Sequence, residues 1–144
     1  RLDLRPWGGH LAGPRIILVH GTPVLNTVYW SEDRSDEFSL QMAEKLGARS
    51  GDIVIFGHTH KPWHRTIDGI QFANAGSVGR PKDGDWRACC LLLHLPATED
   101  QGEAGDMRVE FLRVEYDLAR AQGGIRASTL PKEFALVLEK AGNP

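Results

Sequence analysis

The residues of this chain best suited to chemistry form one short run, Gly57-His58-Thr59-His60-Lys61-Pro62, placed directly after the apolar stretch Ile53–Phe56. Imidazole is the side chain that is neutral near pH 7 and offers a nitrogen lone pair to a divalent transition metal. In an extended backbone, residues two apart project to the same side with about 7 Å between their alpha carbons. That spacing suits two neighbouring ions better than the capture of one, because ions in two-metal hydrolytic sites lie about 3.5 to 4 Å apart. His20 repeats the placement, being the first residue after another apolar run and followed by Gly21. A single histidine after a strand is more often a structural residue than a ligand. Three brought together by topology reverse that preference.

The positioning elements can be read from the same pattern. Ile16, Ile17, Leu18 and Val19 form a continuous apolar run rather than an alternating one, as in a strand buried on both faces, and residues 15–19 are assigned to it. The glycines before it suggest a hairpin-like entry from the first residues. Ser35, Asp36 and Glu37 have the character of a helix amino terminus, and Phe38, Leu40, Met42, Ala43 and Leu46 recur on one face until Gly47. Ile53–Phe56 is the next buried strand. Strand, helix and strand in this order predict a crossover between parallel neighbours, and ligands of an open parallel sheet gather at the carboxyl ends of its strands. His20, His58 and His60 are therefore expected on one rim.

Beyond Pro62, residues 64–67 and 70–73 flank Asp68-Gly69, a signal for a tight hairpin. A loop rich in Gly, Ser and Pro occupies 74–85. Further strands are expected over 87–95 and 107–116, joined by a polar turn over 96–106. A final helix begins near Pro131, carries Phe134, Leu136, Val137 and Leu138, and is closed by Gly142.

The 144 residues fit one domain, and a formal net charge of -2 with both signs interspersed leaves no broad patch for nucleic acid or anionic membrane. Cys89 and Cys90 sit together in an apolar run and read as small buried hydrophobes rather than a disulfide or metal site, which favours a reducing, cytoplasmic setting. No apolar run approaches the ~18 to 20 residues that span a bilayer, and the amino terminus lacks a signal-peptide pattern, so a soluble protein is expected.

Charge accounting exposes a gap. Three neutral imidazoles do not offset two divalent ions, and such a centre needs carboxylates. Asp52 precedes its strand, and Asp83 and Asp85 belong to a turn-rich loop, so all three are expected to be solvated. His64 is expected at the surface, with an edge of the cleft as the alternative, and nothing draws His10 or His94 toward the site. Trp30 and Trp63 read as packing residues before aromatic platforms. Lys61 and Arg80 face either a phosphate or water.

The words Val19-His20-Gly21-Thr22-Pro23, Gly57-His58-Thr59-His60-Lys61-Pro62 and Asn74-Ala75-Gly76-Ser77-Val78-Gly79-Arg80-Pro81 together resemble the calcineurin-like metallophosphoesterase superfamily, in its small bacterial phosphodiesterase branch. The resemblance implies an α/β fold, a four-layer αββα sandwich of which the carboxyl-terminal half is present, with residues 1–144 as that part of a single domain. It implies His20 and His58 on one metal and His60 on the other. The cofactors would be two divalent ions, manganese or iron, with zinc or nickel as alternatives. The reaction would be hydrolysis of a phosphate ester, a phosphodiester by preference, by activated water. Asn26, Gly76, Ser77 and Gly79 resemble positions lining the cleft, with plain loop architecture an equal reading for the glycines.

The family's earlier motifs are missing: the sequence contains no Asp-x-His and no Gly-Asn-His, and none of its Gly-Asp pairs is placed after a relevant strand as the one with the bridging aspartate would be. With Arg1 rather than methionine at its start, the chain reads as a piece of a longer polypeptide, inactive by itself, whose general acid lies elsewhere. Two alternatives stay open, a non-catalytic protein-binding scaffold of the same fold and a single structural zinc. Substrate identity and oligomeric state are not encoded in any motif here.

Overall fold

The computed structural model describes residues 1–6, 14–25, 27–95 and 107–142. Seven strands and three helices succeed one another as β1 (Leu2–Leu4), β2 (Ile16–Leu18), α1 (Asp36–Leu46), β3 (Ile53–Phe56), β4 (Trp63–Ile67), β5 (Ile70–Asn74), β6 (Ala88–His94), β7 (Arg108–Val114), α2 (Leu118–Ala127) and α3 (Phe134–Lys140). A five-stranded sheet has the order β1-β2-β3-β5-β4, and β6 and β7 form a second, two-stranded sheet. The polar turn expected over 96–106, His10 and Asn26 lie outside the described residues.

The crossover is present. Strand β2 pairs parallel with β3, Ile16 opposite Ile53 and Leu18 opposite Ile55, and β3 pairs parallel with β5. Between β2 and β3 runs α1. The Ser35 side chain caps it by accepting from the Phe38 N–H, and Gly47 ends it at φ 64°, a left-handed turn that glycine enters without steric cost.

Alternation along β2 and β3 sends successive side chains into two different cores. Ile17, Val54 and Phe56 join Trp30, Phe72 and the α1 residues Met42, Ala43 and Leu46 on one face. Ile16, Ile53 and Ala73 pack with Met107 on the other, where Leu91, Leu93 and Val109 of the second sheet close over them. Helix, sheet and sheet are thus stacked in layers, and the continuous apolar runs exist because the central strands face both ways. Each fully buried Ile or Phe contributes about 1.5 to 3 kcal/mol.

The hairpin turns through Asp68 at φ 48° and Gly69 at φ 74°, both central residues left-handed as its tight turn requires. Helix α2, Cys90 and Asp52 depart from expectation. Helix α2 has no clear periodic signal, because Gly123 and Gly124 interrupt its pattern; the Asp117 side chain caps it at Arg120, and Gln122 bonds the Ala135 carbonyl of α3 at 2.8 Å. Cys90 is exposed while Cys89 is buried, since neighbours on a strand face opposite sides.

Asp52 is the clearest correction. Expected in solvent, it is fully buried at the amino end of β3. Its carboxylate accepts from the Arg15 backbone N–H at 2.8 Å, from Arg15 Nε at 3.1 Å and a terminal guanidinium nitrogen at 2.6 Å, and from the Arg49 N–H at 3.0 Å. It ties together the start of β2, the turn after α1 and the start of β3. Asp83 and Asp85 also pair, with Arg113 and Arg87 respectively. The Asp52→Ala variant is expected to lose about 3 to 5 kcal/mol of stability in urea unfolding, because a charged guanidinium and two amide donors lose their buried acceptor. A loss below about 1 kcal/mol would show that the network does not anchor the sheet.

Candidate metal centre

The parallel ladder runs on past the strands and fixes the residues that leave them. The Val19 N–H donates to Ile55 O at 3.0 Å, the Gly57 N–H to His20 O at 3.0 Å, and the Ala75 N–H to Phe56 O at 2.7 Å. The segments departing from β2, β3 and β5 are therefore held side by side at the carboxyl edge.

From there the chain bends. His58 sits at φ 71° and His60 at φ 62°, left-handed values that L side chains rarely adopt. The Thr59 N–H donates to Gly57 O at 2.8 Å across His58, the pattern of the strained γ-turn with positive φ at its centre. The two histidines are thus not carried on an extended backbone, as their spacing suggests. They are aimed by two unfavourable conformations, each costing about 1 to 3 kcal/mol, of the kind that concentrates at functional sites.

This turn brings His58 Nδ1 to 3.0 Å from His20 Nε2, with ring centroids 5.0 Å apart and planes at 70°. Gly21 permits the approach, since a Cβ there would stand 3.3 Å from the Cβ of His58. Tyr29, half exposed, stacks on His58 with centroids 5.1 Å apart. His60 points its Nδ1 at the Arg80 carbonyl, 2.9 Å away, so the ring donates there and leaves Nε2 with its lone pair. Burial, then the positive charge of Lys82, pushes the His60 pKa below the ordinary imidazole value; Arg80 and His58 add to this and the Arg80 carbonyl opposes it. The shift favours the neutral ring.

The donor set fits a cation. Two donors on adjacent positions of one ion, with bonds of about 2.1 Å at a right angle, stand about 3 Å apart, which is the separation of His20 Nε2 and His58 Nδ1. His58 Nε2, the nitrogen turned away from His20, is buried with no hydrogen-bond partner among the described residues, and it would carry the ring proton when Nδ1 is the donor. His60, with Nδ1 tied to a carbonyl, is oriented as metal-bound histidines usually are. Among the described residues no group of three or more His, Cys, Asp or Glu converges on one point, so the imidazoles present themselves as a pair and a single. A cavity of about 390 Å³ borders His20 and is lined also by Thr22, Pro23 and Lys45.

The glycine-rich loop is built for packing at Gly76, whose φ is +74° and whose Cβ would meet Cys89 Sγ at 2.9 Å and Pro62 at 3.2 Å. The Ser77 hydroxyl accepts from the Arg80 N–H at 3.0 Å, while Gly79 faces open space. His64 bonds Gln71 and His94 bonds Glu110. Trp30 is a core residue stacked on Phe56 at 4.2 Å, and Trp63 is buried beside the same ring. Lys61 is exposed, and the Arg80 guanidinium lies over the Phe134 ring. Motif and spacing give no role to Tyr29, for which they hold no signal, or to the Asn74 side chain, which bonds the turn around His58.

Comparison with known proteins adds an independent view. A model of the calcineurin-like phosphoesterase superfamily domain matches residues 9–97. A probable metallophosphoesterase of Mycoplasma pneumoniae is 29% identical over 105 residues, 72% of this chain and 58% of that protein. An uncharacterized protein of Methanocaldococcus jannaschii is 28% identical over 97 residues, 57% of this chain and 36% of that one. Among solved structures, a hypothetical protein from Pyrococcus horikoshii superposes with a TM-score of 0.66 at 20% identity, covering 90% of this chain and 47% of its own. A metallophosphoesterase from Sphaerobacter thermophilus gives 0.62 at 24% identity, covering 90% and 56%. The chain spans about a third to three fifths of the length of these relatives.

The depressed pKa of His60 has a signed consequence. Its folded-state value lies below its unfolded one, so the stability it secures is present above the unfolded value of ~6.5 and is lost as pH falls through the folded value. An NMR titration of the metal-free chain is expected to show His60 taking up its proton below pH ~6.5. A midpoint at or above that value would contradict the burial and charge described.

Proposed function

Because this chain belongs to the calcineurin-like phosphoesterase superfamily, we propose that it carries the histidine share of a dinuclear metal centre that hydrolyses phosphate esters, phosphodiesters in particular. His20 through Nε2 and His58 through Nδ1 would hold one divalent ion, and His60 through Nε2 the other. The observation that carries this reading is the 3.0 Å approach of His20 Nε2 to His58 Nδ1, made through a strained backbone.

When bound, two such ions supply Lewis acidity, lower the pKa of a water and balance the charge of a phosphate. The chain's own residues orient and insulate. The Arg80 carbonyl fixes which nitrogen of His60 is available, burial favours the neutral form of that ring, and Tyr29 covers one face of His58. Manganese or iron suits imidazoles completed by carboxylates, with zinc or nickel as alternatives. Asp52, Asp83 and Asp85 are committed to arginines. We therefore assign the carboxylates and the general acid to polypeptide beyond this sequence, with residues 1–144 as the carboxyl-terminal part of one domain, inactive alone. No helix among the described residues is long and apolar enough to cross a membrane, and the free cysteines suit a reducing, cytoplasmic setting.

The test takes the native polypeptide that contains this sequence and measures metal content together with hydrolysis of a bis-aryl phosphate in manganese. Two ions per chain with turnover are expected, and His58→Ala should lose one ion and about 100-fold or more in rate. No bound ion would instead indicate a scaffold, and one tightly held zinc a structural site. Unchanged metal content and turnover in His58→Ala would overturn the assignment.

A further inference from the structure

Asn74 is the last residue of β5 and is fully buried. Its Nδ2 donates to Gly57 O at 2.9 Å and to Thr59 Oγ1 at 2.9 Å, and its Oδ1 accepts from the Gly76 N–H at 3.0 Å. Both amide hydrogens and one face of the carbonyl are used, so the side chain is fixed at each end. The geometry points to Asn74 as a positioning residue that, with Thr59, holds the His58 and His60 rings in the orientation a metal pair requires. This inference rests on the metal-binding reading of the histidines.

Residues held at positive φ persist only where their surroundings over-determine them. The bonds of Asn74 grip the residues immediately before and after His58, which is where the strained turn must be restrained. Thr59 Oγ1 lies in addition 3.4 Å from the Lys61 N–H, bracketing His60 from its far side. The third bond works through the next loop. Gly76, held by Asn74, leads to Ser77, whose hydroxyl receives the Arg80 N–H, and the Arg80 carbonyl in turn receives His60 Nδ1–H. One buried amide therefore reaches both imidazoles by separate routes.

Other side chains serve the position less well. Aspartate lacks the two donors, leucine fills the volume without bonding, and glutamine is one methylene too long for a fully buried site. Leaving the Gly57 carbonyl and the Thr59 hydroxyl without their donor removes the restraint on the γ-turn.

The experiment compares the native polypeptide that contains this sequence with its Asn74→Leu, Thr59→Val and Thr59→Ser variants, each checked for fold by circular dichroism. Long-range nitrogen–proton spectra of the histidine rings are recorded without metal, and zinc binding is measured by calorimetry beside a His58→Ala control. Asn74→Leu and Thr59→Val are expected to move the ring nitrogen signals of His58 and His60 toward those of mobile imidazoles and to weaken zinc binding about 10- to 100-fold. Thr59→Ser, which keeps the hydroxyl, should restore both. If Asn74→Leu does not fold, the contrast between Thr59→Val and Thr59→Ser decides. Ring spectra unchanged in the folded variants would overturn the positioning role. Moved ring spectra with zinc binding indifferent to His58→Ala would instead sustain that role and remove the metal-binding reading.

Discussion

A strand buried on both faces cannot end in its own layer, because the next residues would carry unpaired amides into a core. In this chain β2 and β3 resolve the problem by extending their ladder one step past regular strand geometry, through the Gly57 N–H to His20 carbonyl bond. That single bond sets the distance between the two departing segments. With the backbones fixed, His20 and His58 must meet as soon as the chain turns outward, and Gly21 leaves room for them to do so. The ring contact is thus a consequence of sheet register carried across its edge.

The two edges of the sheet divide the labour. At the amino ends, Asp52 and Arg15 form a closed ion pair that also satisfies backbone amides. At the carboxyl ends the histidines leave nitrogens over, one of them buried and without a partner. An unsatisfied buried nitrogen costs about 1 to 3 kcal/mol, and two left-handed residues add to it. The stable edge and the strained edge are joined by strands of only three to five residues, β2, β3 and β5, so the rigidity of one is available to the other.

Much of this was legible in the sequence, and the reasons are specific. Continuous apolar runs marked β2 and β3 because both faces are covered, and Ser35 and Gly47 marked α1 because capping chemistry is local. Asp68-Gly69 placed the hairpin for the same reason. The convergence of His20 with His58 came from topology. What the sequence concealed depends on contacts that spacing cannot encode. Asp52 looks like a loop carboxylate until Arg15, distant in sequence, folds over it, and α2 hides behind two glycines that break its pattern. The left-handed backbone at His58 and His60 was invisible because residue type alone does not assign it to histidine.

The cost of that backbone bears on its purpose. Were His58 and His60 structural, glycine or asparagine would occupy positive φ with less strain, and ordinary strand continuation would avoid it altogether. A sequence that keeps imidazoles at both positions gives up stability to set where their nitrogens point. Tyr29 against one face of His58 and the Arg80 carbonyl on His60 Nδ1 each narrow the freedom that remains. Among the described residues nothing pairs with His58 Nε2, so the ring is oriented by its Nδ1 contact with His20 and by Tyr29 rather than by a bond at that end. Strain and orientation coincide at one short turn, and a cation at the carboxyl edge would use the two nitrogens that the turn presents, His58 Nδ1 and His60 Nε2.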